Sequence, residues 1–211
     1  RLAGWRVHTE TAVAGKVLFR ETTGRSEFRI EVLHPSDESM EDHPIENGSA
    51  VLRVVYGQFA ALFCGDLHFD GQDRLADRYS SEELKSDLLI VPHHGTASPW
   101  GWADQAKDRL LARLDDSTGR LLKKVRPEHA IFCYGNPRPV LGLQGRDVER
   151  TFELTWRYIA DTLGESACLR TDRDLAIFVK SDGTTYQVSN QAEANRAAGA
   201  DSGVEDISIG F

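Results

Sequence analysis

The chain has 211 residues, 40% of them hydrophobic, with a formal net charge of −8 at pH 7 and an isoelectric point near 5.4. This length and apolar content suffice to bury the core of one domain. The acidic balance excludes a general nucleic-acid coating protein, because such proteins are basic. No apolar stretch of the sequence approaches the roughly 20 residues that span a bilayer, so no membrane segment is expected.

Three cysteines lie in apolar, strand-like runs of the sequence: Cys64, Cys133 and Cys168. They lack the Cys-x-x-Cys spacing of a metal or redox motif, and an odd number does not suit a disulfide framework. We therefore expect buried free thiols in a reducing compartment, and hence a cytoplasmic location.

The first half of the chain predicts mainly antiparallel strands. Apolar residues alternate across 28–32, which predicts a strand with one buried face, and the acidic stretch 36–48 predicts a loop. Two further apolar runs, 49–56 and 59–64, are separated only by a Gly-Gln dipeptide. A glycine turn between two apolar runs is typical of a β-hairpin.

The second half predicts helices between strands. Ser80 followed by Glu83 has the spacing of a capping box at the start of a short helix. Apolar residues at helical spacing predict helices over 103–114 and 147–163. The second helix would be capped by the aspartate at its first position and ended by Gly164.

Three more apolar runs, at 130–134, 167–170 and 175–180, predict strands. We therefore expect residues 1–189 to form one α/β domain. Small and polar residues dominate from residue 190 onward, and this composition predicts a flexible C-terminal tail over 190–211. Docking of the last few residues on the domain is the alternative.

Two of the apolar runs end in side chains that can bind metal. One run leads to Asp66 and the other to the pair His93 and His94. Ligands in α/β proteins lie where strands end, and carboxylate with imidazole suits Zn²⁺ or Mn²⁺. Because neighbouring strand residues face opposite sides, we expect only one of the two to bind metal directly. We favour His94, which adjoins Gly95, and expect His93 to lie behind it or to contact phosphate. A turn aspartate and surface histidines are the alternative.

Asp66, His93 and His94 belong to a set of six short sequence segments that follow one another in a characteristic order. The six segments are Phe28–Pro35, Glu46–Leu52, Leu62–Asp66, Val91–Thr96, Arg126–Ile131 and Leu169–Asp172. They resemble the second half of a metallo-β-lactamase-fold hydrolase of the DNA-internalisation (ComEC-type) branch. The resemblance implies an α/β fold, the C-terminal half of an αββα sandwich, with its site at the lip between the sheets.

The resemblance also implies a chemistry. In such relatives the carboxylate at Asp66 bridges two divalent metal ions, Zn²⁺ or Mn²⁺, and His94, with His93, completes the metal shell. The implied reaction is hydrolysis of phosphodiester bonds, with DNA as the expected partner. The family's His-x-His-x-Asp-His signature does not occur in this chain. An upstream segment or a partner chain is therefore expected to supply that half of the site.

Four further residues are expected to contact substrate. Asn47 and Ser49 stand where many fold relatives place a histidine, and we expect them to shape a turn or bind phosphate. Asn136 stands where the branch has a catalytic histidine. Asparagine can donate a hydrogen bond to phosphate but cannot transfer a proton at neutral pH. Arg138, two residues later, would add positive charge.

The stretch between the fourth and fifth of these segments, Ser98–Val125, mixes aromatic and basic residues. It contains Trp100 and Trp102 together with a set of lysines and arginines that includes Lys123 and Lys124. Such interleaving is typical of a flap that stacks bases and holds phosphates. An amphipathic helix with a solvated basic face is the alternative.

Two rival functions remain open. One is hydrolysis of a small phosphodiester, nucleotide or ester, and the other is a catalytically dead domain that binds a partner. We also expect three apolar residues, Val54, Leu62 and Ile90, to need cover from a second polypeptide. The remaining histidines are interpreted as structural or solvated; they are His8, His34, His43, His68 and His129.

Overall fold

The computed structural model describes residues 11–24, 26–36, 48–96, 107–135, 145–191 and 207–210. Seven strands form one mixed sheet in the order of the chain, β1 to β7. These strands are β1 Val17–Thr23, β2 Ser26–His34, β3 Val51–Tyr56, β4 Phe59–Phe63, β5 Leu88–Ile90, β6 His129–Phe132 and β7 Cys168–Arg170. A second sheet contains β8 Ile177–Ser181, β9 Tyr186–Asn190 and β10 Ile207–Gly210, with β8 in the middle.

Strands β1 to β4 form an antiparallel meander, whereas β4 to β7 run parallel to one another. The predicted hairpin is confirmed, because β3 and β4 pair directly across Gly57 and Gln58. Parallel neighbours need crossover connections, and helices provide them. The helices are α1 Phe69–Arg78, α2 Ser81–Leu84, α3 Lys107–Arg113, α4 Arg120–Val125, α5 Gly145–Leu163 and α6 Thr171–Asp174, with a π-helical segment, Leu114–Gly119, between α3 and α4.

The central strands of the large sheet are buried on both faces, and adjacent residues of β4 and β5 enter different cores. Leu62 and Leu89 pack on the helical side with Phe152 of α5, among other residues. Ala61 and Leu88, one position earlier in each strand, pack against the second sheet. Side chains of a strand alternate between its faces, so a strand covered on both sides must be apolar throughout. The prediction of an α/β sandwich is confirmed.

The expectation that apolar residues need cover from a second polypeptide is wrong for the three residues it concerned. Val54, Leu62 and Ile90 are only 8%, 0% and 8% exposed. Leu62 belongs to the helix-side core and Ile90 to the core between the sheets. The chain buries these residues by itself.

The predicted C-terminal tail is corrected where the structure describes it. Ile207–Gly210 forms β10 and pairs antiparallel with β8, from Ile207 opposite Ser181 to Gly210 opposite Phe178. This part of 190–211 therefore docks on the domain as a strand. Of the described helices, none is long and apolar enough to cross a membrane.

Helix boundaries follow local signals closely. The predicted capping box is confirmed, since the Ser80 side chain accepts from the Glu83 backbone N–H while the Glu83 carboxylate accepts from the Ser80 backbone N–H. Helix α5 ends before Gly164, whose φ is 93°. It begins at Gly145, so Asp147 lies inside the helix and is not its N-cap.

The described cysteines are free thiols, as predicted. Cys64 and Cys168 are buried and Cys133 is partly buried. Burial raises the pKa of all three thiols, that of Cys168 to about 11, because the charged thiolate is poorly solvated. They act as small apolar residues of the core.

Candidate metal centre

Asp66 is placed by the loop that leaves β4. Gly65 has a φ of 53°, and a Cβ atom there would lie 2.5 Å from the Ser49 hydroxyl oxygen, so glycine is required. The Ser49 hydroxyl accepts a hydrogen bond of 2.8 Å from the Asp66 backbone N–H. Ser49, a predicted substrate contact, is therefore placed where it supports the backbone of Asp66.

His93 and His94 lie on a tight 3₁₀ turn, Pro92–Gly95, that follows β5. Their φ angles are 49° and 59°, in the left-handed region that costs most residues roughly 1–2 kcal/mol each. The His93 backbone N–H donates to the Gly65 carbonyl at 2.8 Å, which ties this turn to the Asp66 loop. The strain is held in place by these contacts with the rest of the fold.

The predicted convergence of Asp66 and His94 is confirmed. His94 Nε2 lies 2.9 Å from Asp66 Oδ1, although 28 residues separate them, and the two side chains are 52% and 66% exposed. The cause is topological. Strands β4 and β5 are parallel neighbours, so their carboxyl ends deliver both side chains to the same edge of the sheet.

His93 is held as a neutral imidazole with one nitrogen available. Its Nδ1 lies 3.1 Å from the Thr96 carbonyl oxygen and 2.7 Å from the Thr96 hydroxyl, which itself donates to the His93 carbonyl. Both oxygens beside Nδ1 thus accept, so we assign the ring hydrogen to Nδ1 and the lone pair to Nε2. Burial, and then the neighbouring His68, lower the pKa of His93. This is the state in which histidine binds metal.

His68 is a site neighbour that sequence reasoning missed. Its ring lies edge to face against that of His93, with 4.5 Å between the centroids. Its Nε2 is buried and has no hydrogen-bond partner among the described residues. The one available signal was its position, two residues after Asp66 on the same loop.

The donor set fits a divalent metal ion in its chemistry. A carboxylate and three imidazoles are ligands for a borderline cation such as Zn²⁺, and the unpartnered His68 Nε2 is an atom that a cation would satisfy. In the part of the chain that is described, no three ligand side chains converge closely enough to hold a metal ion by themselves. The donors form two adjacent pairs, Asp66 with His94 and His68 with His93.

The basic pair Lys123 and Lys124 does not lie at this edge. The Lys124 ammonium donates to the Tyr79 carbonyl at 2.6 Å, and Val125, the next residue, accepts from the Ser86 N–H just before β5. The end of α4 therefore meets the amino end of β5, whereas Asp66 lies at the carboxyl end of β4. The remaining predicted contacts lie outside the described residues: Asn47, Trp100, Trp102, Asn136 and Arg138.

A buried polar cluster lies at the carboxyl end of β7. The Arg170 side chain is 5% exposed, and its guanidinium bonds Glu153 and Asp172 at 2.8 Å each. It also lies 4.5 Å above the Phe152 ring and 5.4 Å above the Trp156 ring. Hydrogen bonding to Arg170 lowers the pKa of Asp172. We call these five residues the arginine cluster.

The arginine cluster is joined to the segment that follows β6. The hydroxyl of Thr171 donates to the Tyr134 carbonyl at 2.8 Å, and the Tyr134 ring stacks on Phe152 with 3.7 Å between centroids. Tyr134 lies two positions before Asn136. Thr171, in the last of the six sequence segments, thereby holds Tyr134 in place.

No family model matches this chain. It is similar to competence protein ComA of Neisseria gonorrhoeae, with 34% identity over 107 residues, which are 50% of this chain and 12% of the length of ComA. This match confirms the resemblance to ComEC-type proteins of the metallo-β-lactamase fold that the six segments indicate. Among solved structures, the chain is similar to a CmlA beta-hydroxylase mutant at 13% identity and a TM-score of 0.39, over 72% of this chain and 31% of that one.

Proposed function

We propose that this chain forms part of the active site of a metal-dependent hydrolase that cleaves phosphodiester bonds, with DNA as the substrate. The observation that carries the proposal is the contact of 2.9 Å between Asp66 and His94, beside His93, at the carboxyl ends of β4 and β5. Its setting in a chain similar to ComA supports the hydrolase class and the association with DNA.

Each residue has a distinct part in this proposal. Asp66 and His94 would hold metal, and the resemblance implies two divalent ions at this site. The ions would lower the pKa of a bound water and balance the charge of the phosphate. Ser49 fixes the backbone of Asp66, and the contact of His93 Nδ1 with Thr96 keeps Nε2 free for a ligand.

The remaining ligands come, in this proposal, from a segment or partner chain outside the 211 residues that carries the His-x-His-x-Asp-His signature. Asn136 would donate a hydrogen bond to a phosphate oxygen, and Arg138 would add positive charge. Thr171 anchors Tyr134, two positions before Asn136 in the sequence.

The test is cleavage of labelled single- and double-stranded DNA by the natural polypeptide that carries this chain, with Mn²⁺ or Zn²⁺. We expect cleavage to require the metal and to fall at least 100-fold in Asp66→Asn, because the bridging carboxylate is lost. Asp161→Asn is the matched control, since Asp161 is an exposed aspartate of α5. Equal activity of Asp66→Asn and the control would refute the proposal.

A small phosphodiester, nucleotide or ester is the second candidate substrate. Two observations favour it: the net charge of −8, and the position of Lys123 and Lys124 away from the Asp66 edge. Binding of a DNA strand weakens steeply with salt because counterions are released from the polymer. A KM for DNA that is unchanged between roughly 50 and 200 mM salt, with faster hydrolysis of bis(p-nitrophenyl) phosphate, would favour the small substrate.

A further inference from the structure

His68 carries a buried ring nitrogen that the established contacts of the fold do not use. Neutral histidine has one nitrogen that donates and one that accepts, and both normally find partners when buried. Nε2 of His68 has none among the described residues. Leaving such a group unpaired costs about 1–3 kcal/mol, so a purely structural role would favour an apolar side chain at this position.

His68 follows Asp66 on the same loop and is linked to it through the two histidines of the next turn. Leu67, between them, is fully buried in the helix-side core, whereas Asp66 is exposed. The ring of His93, against which His68 lies, is 6.4 Å from the ring of His94, and His94 contacts Asp66. The Asp66 loop therefore presents two donor residues, separated by one core residue.

His93 is the second histidine of this pair, because it lies against His68 and has a free ring nitrogen of its own. The ring centroids of the two histidines are 4.5 Å apart, and the hydrogen on His93 Nδ1 directed at Thr96 leaves His93 Nε2 without a proton. Each of these two neighbouring imidazoles has a nitrogen without a partner. A bound cation would supply that partner for both.

We propose that His68 is a further metal ligand, paired with His93, so that this chain presents four ligand side chains at one edge of its sheet. The inference rests on the proposed function. Three imidazoles with one carboxylate favour Zn²⁺ over Mn²⁺, because imidazole binds the borderline ion better than the harder one. Asp66 and His94 form one donor pair and His68 and His93 the other.

The experiment compares His68→Phe with the unaltered natural polypeptide that carries this chain. Phenylalanine keeps a ring against His93 but removes both nitrogens. Two quantities are measured: binding of Co²⁺, by its visible absorption, and the melting temperature of the metal-free protein. We expect Co²⁺ affinity to fall at least tenfold, with the metal-free melting temperature unchanged or raised, because the lost nitrogen has no partner to leave behind.

His129→Phe is the matched control, because His129 is a partly buried histidine with a structural bond. Its Nδ1 lies 2.9 Å from the Tyr186 hydroxyl, at the amino end of β6. This variant should show the opposite pattern, a lower metal-free melting temperature and unchanged Co²⁺ affinity.

The outcomes separate this inference from the proposed function. If His68→Phe binds Co²⁺ like the unaltered protein while Asp66→Asn does not, the role of His68 is refuted and the metal centre stands. If His68→Phe lowers the metal-free melting temperature as much as His129→Phe does, His68 is structural and the inference is refuted. If the unaltered protein binds neither Co²⁺ nor Zn²⁺, the proposed function is refuted together with the inference.

Discussion

The metal edge, formed by Asp66, His68, His93 and His94, and the arginine cluster are built on opposite principles. The metal edge combines two left-handed histidines, an unpaired buried nitrogen and an exposed contact between a carboxylate and an imidazole. In the arginine cluster, the buried Arg170 is bonded to two carboxylates and lies over two aromatic rings. Strained and unsatisfied groups persist only where the surrounding structure holds them. The difference indicates that the strained and unpaired groups are concentrated at the metal edge. The stabilising contacts of the arginine cluster help to offset their free-energy cost.

Phe152 connects the two regions physically. A Cβ atom on Gly95, at the end of the histidine turn, would lie 2.6 Å from Phe132 and 3.3 Å from Phe152. The other neighbours of Phe152 are Tyr134, stacked on its ring, and the guanidinium of Arg170. The histidine turn thus rests directly on the aromatic residues that the arginine cluster fixes.

The largest expected effect comes from removing the arginine. Arg170→Met should lower the free energy of unfolding by about 3 kcal/mol, because it removes the buried cation of Glu153 and Asp172 and leaves them only the exposed Arg173 nearby. Urea denaturation measures this loss. Arg157→Met is the control on the exposed face of α5 and should change stability by less than about 0.5 kcal/mol.

The comparison of the two regions also predicts that the metal edge contributes little to the stability of the metal-free protein. Asp66→Asn should change the unfolding free energy of the metal-free protein by less than about 1 kcal/mol, because its contact with His94 is exposed to solvent. A loss in Asp66→Asn equal to that in Arg170→Met would show that the two regions do not differ in this way.

The next effect concerns the contact between the two regions. Gly95→Ala should cost about 2–3 kcal/mol, because the new methyl group overlaps Phe132 in a packed core. Gly164→Ala is the control: Gly164 also has a positive φ, but a Cβ there meets nothing within 4 Å. Equal losses in the two variants would assign the whole cost to backbone conformation and none to the contact.

The smallest expected effect is a difference in the pH range over which the two regions lose their contribution to stability. Burial lowers the pKa of His93 below its ordinary 6.5, so protonation favours the unfolded chain, and this stability is lost as the pH falls below 6.5. The pKa of Asp172 is lowered from 3.8, so its contribution is present above pH 3.8 and lost only below it. Urea denaturation from pH 8 to pH 3 measures both.

Two variants assign these pH ranges. The stability difference between the unaltered chain and His93→Gln should change between pH 6.5 and the lowered pKa of His93. The corresponding difference for Asp172→Asn should stay constant until the pH falls below 3.8. A change for Asp172→Asn already near pH 6 would contradict the assignment of a lowered pKa to this carboxyl.

Local signals in the sequence determined much of this fold. The β3–β4 hairpin, the capping box at Ser80 and the glycine stop at the end of α5 each depend on neighbouring residues, and each is confirmed. The convergence of Asp66 and His94 was also predictable, because the carboxyl ends of neighbouring parallel strands meet at one edge. Helix α1 and strand β9 were not predicted, since neither has a long regular run of apolar residues.

Tertiary packing decided the rest. Sequence spacing could not show that Lys123 and Lys124 lie near the amino ends of the parallel strands, away from Asp66 at their carboxyl ends. The direction of a crossover helix follows from the order of the strands it joins. Nor could sequence spacing show that His68 meets His93, since residues 25 positions apart become neighbours only when β4 pairs with β5. The sequence by itself determined which donors are present, and the sheet decided which of them share a site.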